Sequence, residues 1–417
     1  MSYADLAFPE RIPVKFGPEI ARRVLYLDEG IDDFSLIEDG GEITGLRLSG
    51  SLMAAQQSAR LVETLMAEIQ GLRSIEAKRI WTSCRPSDAA AAIRTDAVID
   101  ELVSAGHARI HGPGTVSFKG VYADLVGVLD DLFAALSTDL MAAEQHRFPT
   151  LLGSSVLERG GYLDSFPNLL MTVHRLRNTP DDFELFRRHR RGGGTLRDLG
   201  SATVPVEYCL PPTMCYYVYD GMADTRVDSL RVFTAVGSSF RFEHRYESPF
   251  RRLWDFTIRE TVWVGGREEV RSGLHGYREL VTALCDDLDL AGTCETAHDP
   301  FFLADNGAAM AAAQQMIGSK SELRLSLGDG ESVAAASFNA HGEYLASAYG
   351  IGLADGALAS TACVGVGLER VALAFLAQHG IDPQSWPAMV GDAVRAAYDR
   401  PGRQAVRLWA ETRWPTR

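Results

Sequence analysis

From about Val204 to Gly365 the chain alternates strand-like runs with turns, and this feature constrains the fold more than any other. Cys215 to Asp220, Leu230 to Val236, Leu253 to Gly265 and Ser332 to Phe338 all suit strands. A helix with Leu368, Val371 and Phe375 on one face closes the unit. Strands in series with inserted helices predict an antiparallel sheet and the α+β class.

The flanking segments divide the chain into two parts. Residues 1–90 read as a small N-terminal α/β module, and residues 91–417 as the main domain. In the module, Arg22 to Asp28, Asp33 to Glu38 and Glu42 to Leu48 suit short strands, with a turn at Glu38-Asp39-Gly40-Gly41. Leu52 to Leu72 is helix-like, with Leu61, Leu65 and Ile69 four apart, and Ala77 to Ser83 suits a returning strand. Ser87-Asp88 can cap a helix from Ala89 to Ala105. A second helix is predicted from Tyr122 to Gln145, ended by Pro149. Arg187, Arg188, His189, Arg190 and Arg191 precede Gly192-Gly193-Gly194, which reads as a solvated loop in preference to an RNA-contacting patch.

Composition excludes several classes. With 41 Lys+Arg against 55 Asp+Glu the formal charge is −14, which disfavours broad nucleic-acid binding. The apolar stretch from Leu345 to Leu368 is broken by Asp355 into pieces shorter than the roughly 18 residues that a spanning helix needs. Met1 to Phe8 carries Asp5 and lacks the basic start and apolar core of a secretory signal, so the expected location is cytoplasmic. Six cysteines (Cys84, Cys209, Cys215, Cys285, Cys294 and Cys363) are too sparse for a disulfide scaffold, and none forms a CxxC pair. Cys84, Cys285 and Cys294 read as small buried side chains.

The common nucleotide and hydrolase motifs are absent: no GxxxxGK[ST], no HExxH and no GxSxG occurs. Two segments remain. Phe240-Arg241-Phe242-Glu243 is followed by a polar loop and then Arg252-Leu253-Trp254-Asp255-Phe256. About 120 residues later, Gly365-Val366-Gly367-Leu368-Glu369-Arg370 opens a helix. In this order and spacing they resemble motifs 2 and 3 of the class II aminoacyl-tRNA synthetase catalytic domain. The resemblance implies a class II synthetase-like antiparallel sheet flanked by helices, with ATP as substrate and Mg2+ accompanying it. Arg241 would sit on the α-phosphate, where a guanidinium grips oxygens bidentately as charge grows in the transition state. Glu243 would orient the adenine or the amino acid, and Arg252 and Arg370 would hold the outer phosphates, with Leu253 alongside in the ATP site. Arg245-Tyr246-Glu247 offers a competing register.

Cys215, Glu260 and Cys363 form a third element. Three such ligands leave one tetrahedral position open, the mark of a catalytic zinc. The set resembles that of methanogen-type seryl-tRNA synthetases and, more closely, their bacterial relatives, the amino acid:[carrier protein] ligases. Cys209 is an alternative to Cys215. Gly161 to Pro167 with Thr172-Val173-His174, Ala297 to Phe302, and Ser337-Phe338-Asn339 with Leu353 to Ala357 also resemble ligase segments. The likeness covers roughly residues 95 to 390 and leaves 1–90 outside.

The resemblance implies ATP-driven activation of a small amino acid, then transfer to the phosphopantetheine thiol of a carrier protein. Asp299 could orient the substrate amine or cap a turn, and Asn339 could touch the carboxylate or bond backbone at a strand end. Lys320 and Glu322 are expected at the surface, and His174 and His341 as structural histidines. A homodimer through the first motif, near Arg147-Phe148-Pro149-Thr150, is also implied. The alternatives are a seryl-type enzyme charging tRNA and a synthetase-like binding module without catalysis. The many acids of residues 1–90 make tRNA a less expected partner than a carrier protein.

Overall fold

The structure is a computed structural model that describes residues 3–24, 31–50, 62–63, 65–66, 77–85, 95–195, 202–243, 250–299, 307–328, 330–396 and 406. The first strand, β1 (Tyr3–Pro13), leads into helix α1 (Gly17–Val24) and the hairpin β2 (Ile31–Asp39) and β3 (Glu42–Gly50). These strands form an antiparallel sheet in the order β1-β3-β2. The hairpin turns at Gly40 and Gly41, both at positive φ, as a two-residue connection matching the strand twist requires. The strand expected from Arg22 begins instead inside α1, because Ile20 and Val24 bury one helical face against Ile12, Ile43 and Leu46. Of the helix expected over 52–72, residues 62–63 and 65–66 are described, and they are helical; the rest lies outside the described residues.

The main unit is built on an eight-stranded sheet. Its strands are β4 (Arg79–Thr82), β7 (Glu144–His146), β12 (Arg231–Phe240), β13 (Asp255–Gly265), β14 (Gly292–Thr296), β15 (Lys320–Gly328), β16 (Glu331–Gly342) and β18 (Ser360–Gly367). Their order is β4-β14-β15-β16-β18-β13-β12-β7. Every pairing is antiparallel except β7 with β12. The sheet therefore takes its outermost strand, β4, from the stretch assigned to the N-terminal module. Smaller ladders join β5 (Ala108–Gly112) to β6 (Thr115–Phe118), β10 (Thr203–Leu210) to β8 (Leu152–Gly153) and β9 (Met171–Leu176), and β11 (Arg226–Val227) to β17 (Gly352–Leu353).

Helices cover one face of the large sheet. They are α2 (Thr95–Ser104), α3 (Val121–Ala135), α8 (Arg267–Asp287), α11 (Leu368–His379) and α12 (Ala388–Arg395). Phe338, Val364, Val366, Trp263 and Leu325 from the strands meet Leu129, Phe133, Tyr277, Leu373 and Phe375 from the helices in one core. On the other face lie α4 (Ser154–Arg159), α5 (Tyr162–Ser165), α7 (Cys215–Gly221) and α10 (Tyr344–Tyr349), packed on Phe233, Val262 and Cys363. Helix α6 (Pro180–Arg191) buries no residue, and α9 (Gly307–Ile317) precedes β15.

Three expectations fail for stated reasons. Cys215 to Asp220 is the helix α7 and not a strand: Cys215, Val218 and Tyr219 share a buried face at helical spacing, so tertiary burial overrides aromatic β-preference. The long helix ends at α3 and a π-helical turn (Leu136–Leu140), and Glu144–His146 leaves it to pair with Phe233–Ala235. The arginine-rich loop is helix α6, started by a capping box between Thr179 and Asp182 and carrying Arg188, His189, Arg190 and Arg191 in its last turn, where cations suit the dipole. Cys84 is exposed, while Cys285 and Cys294 are buried as expected.

Strand β13 is tied to the helix layer by a buried ion pair. Arg259, 2% exposed, donates from Nε and Nη2 to both oxygens of Asp130 on α3, at 2.7 and 2.8 Å. Truncating one partner of such a pair strands the other charge. Asp130→Ala is expected to cost about 3–5 kcal/mol in urea unfolding, whereas Arg259→Met with Asp130→Leu recovers most of that loss.

Candidate functional site

Residues directly opposite each other on antiparallel strands project to the same face. One row therefore places Lys320, Asn339, Cys363, Val262 and Phe233 together, by the registers Lys320↔Asn339, Asn339↔Cys363, Val262↔Cys363 and Phe233↔Val262. The neighbouring row holds Glu322, Ser337, Gly365, Glu260 and Ala235. This is the face opposite the helix-packed core. Gly365 keeps it open: a Cβ there would lie 2.7 Å from Ile258 Cδ1.

The two rows bring Cys215, Glu260 and Cys363 into one buried cluster, with their ligand atoms all within 4.8 Å of one another. Cys215 arrives from across the sheet at the start of α7. Glu260 Oε2 accepts from Thr213 Oγ1 at 2.6 Å, Met214 N at 2.7 Å and Cys215 N at 2.9 Å. These bonds fix both the carboxylate and the turn that presents Cys215. Cys209 lies apart, its Sγ donating to Leu152 O at 3.4 Å.

Three acids pressed together and away from water resist simultaneous ionisation. Burial, and then Cys363, push Glu260 up to about 8. Cys363 is held well below the usual thiol range, first by the hydrogen bond from Cys215, with His341 and Asn339 adding to it. Cys215 is raised correspondingly by the same bond, by burial and by Glu260. A divalent cation would take the place of the retained protons. Two sulfurs and one carboxylate oxygen, close enough to share an ion, fit zinc by ligand type, with a fourth position left open.

Cationic groups lie on the motif 2 and motif 3 segments. Arg241 follows β12, its N–H bonding Trp254 O at 3.0 Å, its Nε donating to Pro212 O at 3.2 Å and its Cζ 5.6 Å from the Phe256 ring centroid. Glu243 is buried and faces Arg252 at 3.5 Å. The Glu243 carbonyl accepts from the Trp254 indole. Arg370, in the first turn of α11, donates to Arg251 O and Ala334 O, both at 3.1 Å, which joins the far end of the motif 2 loop to the start of the motif 3 helix. Leu253, expected alongside the ATP site, is 3% exposed, so its side chain is part of the protein interior. Arg245 and Glu247 lie outside the described residues.

A second buried group lies on the β15 side of the same sheet face. Lys320 pairs with Asp299 and sits 3.5 Å from Glu322. Gln314 of α9 bonds the same aspartate through Nε2 to Oδ2 at 2.9 Å and accepts from its backbone N–H at 2.6 Å. Burial works against ionisation of Asp299, but Lys320, Gln314 and Arg241 hold it below the usual carboxylate range. Lys320 is 8% exposed and Glu322 is half-buried, so neither takes the surface position expected of it. Strand alternation with Asn339 and Ser337 was the signal that could have placed them.

Asn339 Nδ2 donates to Cys363 Sγ at 3.6 Å, and Ser337 Oγ donates to its Oδ1 at 3.0 Å, so the side chain faces the thiol and not backbone at a strand end. His341 Nε2 lies 3.7 Å from the same sulfur. His174 is exposed on β9.

No family model matches the chain. Two Bradyrhizobium diazoefficiens proteins are similar to it. Amino acid--[acyl-carrier-protein] ligase 2 is 31% identical over 306 residues, 72% of this chain and 88% of that protein. Amino acid--[acyl-carrier-protein] ligase 1 is 34% identical over 281 residues, 66% of this chain and 84% of that protein. The type-2 serine--tRNA ligase of Methanopyrus kandleri is 26% identical over 292 residues, and the chain spans 55% of its length. In fold, the chain matches the M. kandleri seryl-tRNA synthetase solved with A. aeolicus tRNASec, with a TM-score of 0.67 at 21% identity, covering 95% of this chain and 78% of that one. The seryl-tRNA synthetase of Pyrococcus horikoshii solved with ATP gives 0.57 at 12% identity, over 82% and 80% of the two chains. The fold is class II synthetase-like.

The cluster geometry predicts which cysteine matters for metal. After dialysis against zinc and then buffer, the wild type and Cys209→Ala are expected to retain about one equivalent, by the three-ligand logic of such sites. Cys215→Ala and Cys363→Ala are expected to retain none, as read by atomic emission.

Proposed function

The chain belongs to the amino acid--[acyl-carrier-protein] ligase family and is a ligase, and on that premise we propose its reaction. It activates a small amino acid with ATP and Mg2+, and passes the aminoacyl group to the phosphopantetheine thiol of a carrier protein. The observation that carries this reading is the Cys215–Glu260–Cys363 cluster on the same sheet face as Lys320 and Asn339, beside Arg241. Zinc held by these three residues would offer its open position to an unprotonated α-amino group, and so select for it.

The chain's own residues account for the rest. The substrate carboxylate attacks the α-phosphorus of ATP, an O–P bond forms, and pyrophosphate leaves with the electrons of the broken P–O bond. Arg241 stabilises the charge that grows on the α-phosphate oxygens, and Arg252 and Arg370 face the outer phosphates. Glu243 holds Arg252 in place. Asp299 and Lys320, locked together and near Arg241, wall the amino-acid side of the pocket. In the second step the carrier thiol loses its proton, its sulfur attacks the activated carbonyl, and AMP leaves.

A small amino acid is the substrate that amine recognition at the metal favours, since the open position selects the α-amino group and not the side chain. The carrier as acceptor, in preference to tRNA, is supported by the acyl-carrier-protein ligases, whose own length the chain spans to 88 and 84%, against 55% for the M. kandleri serine--tRNA ligase. Helix α6 presents Arg187, Arg188, Arg190 and Arg191 on its exposed surface, with charge that suits an acidic carrier. A homodimer through the segment near Phe148 and a cytoplasmic location complete the reading. Among the described residues, no helix is long and apolar enough to cross a membrane.

Amino-acid-dependent ATP–pyrophosphate exchange tests the first step. Exchange is expected with one or two small amino acids and to vanish when zinc is removed by chelation; exchange indifferent to chelation would refute the zinc reading. Arg241→Ala should lower the exchange rate by about 10²–10³-fold. Replacing Arg187 and Arg188 with Glu should slow transfer to the carrier and leave exchange unchanged. Transfer at the wild-type rate would remove α6 as the docking element.

A further inference from the structure

Each ligand of the cluster has its own set of polar neighbours, and the sets differ. Glu260 is held by Thr213 and two backbone N–H groups. Cys215 has the Thr213 hydroxyl at 3.7 Å. Cys363, 5% exposed, is met by two side chains from one strand, Asn339 at 3.6 Å and His341 at 3.7 Å. Both lie on β16 two residues apart, and Asn339 pairs directly with Cys363 across the ladder. Alternation along the strand therefore aims both at the same sulfur.

Further contacts fix which atoms point there. Ser337 donates to Asn339 Oδ1, which leaves the amide nitrogen to face the sulfur. His341 Nδ1 lies 3.3 Å from both the Tyr219 and the Thr361 hydroxyls. When either hydroxyl donates to Nδ1, the ring proton sits on Nε2, toward Cys363. In that tautomer the sulfur receives two N–H donors.

We propose that Asn339 and His341 are positioning residues for the metal-binding sulfur: they hold Cys363 aimed at the cluster and set how tightly the site grips zinc. The charge arithmetic gives the reason. Two thiolates and a carboxylate around a dication leave one net negative charge in a buried site. A buried anion needs donors when water is excluded. The N–H groups also draw charge from the sulfur, which leaves the ion a better acceptor for an amine. The proposal rests on the zinc reading above, and its test separates the two.

The test uses the full chain loaded with zinc or with cobalt. Zinc affinity is measured by competition with a chromophoric chelator, and the sulfur-to-cobalt charge-transfer band by absorption. Asn339→Leu and His341→Leu are each expected to weaken zinc binding about 10–100-fold. Each should also shift the cobalt band and raise the KM for the amino acid with little change in the KM for ATP. His341→Gln, which keeps an N–H on a planar group, should recover most of the affinity; a loss caused by disturbed packing alone would leave the cobalt band of the folded, cobalt-loaded variants unmoved. Leucine variants with wild-type zinc affinity and an unshifted cobalt band would overturn the proposal while the zinc reading stands. A wild-type protein that binds neither metal would overturn both.

Discussion

The hydrogen bonds on Glu260 organise the site. One carboxylate oxygen takes three donors from the Thr213–Cys215 turn, so a strand in the middle of the sheet grips the start of α7 and carries Cys215 to Cys363. The adjacent residue, Arg259, faces the opposite way and locks the same strand to α3 through Asp130. Two consecutive residues of β13 thus tie one layer to each side of the sheet. Alternation along a strand makes this possible, and the burial of Arg259 and Glu260 leaves both side chains dependent on these partners.

The arginine side of the site is assembled by different means. Arg241, Glu243 and Arg252 flank the motif 2 loop, and Arg370 reaches across from α11 to the Arg251 carbonyl and to Ala334 on β16. The guanidiniums are thereby oriented by backbone carbonyls and one buried carboxylate. Groups fixed in advance need little reorganisation when charge develops, which is where electrostatic stabilisation of a transition state has its value. On the proposed reading, the metal cluster recognises the amine and the arginines handle the phosphates, and the sheet registers set their separation.

Much of this was legible in the sequence, for physical reasons. The strands β12, β13, β16 and β18 announce themselves by runs and turns, and the α+β class follows from their order. The three cluster residues are recognisable in the sequence through their resemblance to the ligand set of methanogen-type seryl-tRNA synthetases and carrier-protein ligases. Other features depend on tertiary context. Cys215 to Asp220 looks like a strand, and becomes a helix because its buried positions fall three and four apart. Lys320 looks like a surface residue until β15 is placed beside β16 and Asp299 pairs with it. The contacts of Asn339 and His341 with Cys363 carry no local signal; their target is a sulfur on a neighbouring strand. Helix α6 hides behind an arginine run whose charge suggests a loop, although Thr179 and Asp182 spell its capping box.

The central claim is that Cys215, Glu260 and Cys363 hold a zinc ion that meets the amine of the substrate. X-ray absorption at the zinc edge tests it most directly, on purified protein with and without the amino acid that supports exchange. The account predicts two sulfur and two lighter (oxygen or nitrogen) scatterers around zinc, with a changed edge shape when the amino acid is added. A shell without sulfur, or one left unchanged by the substrate, would contradict it.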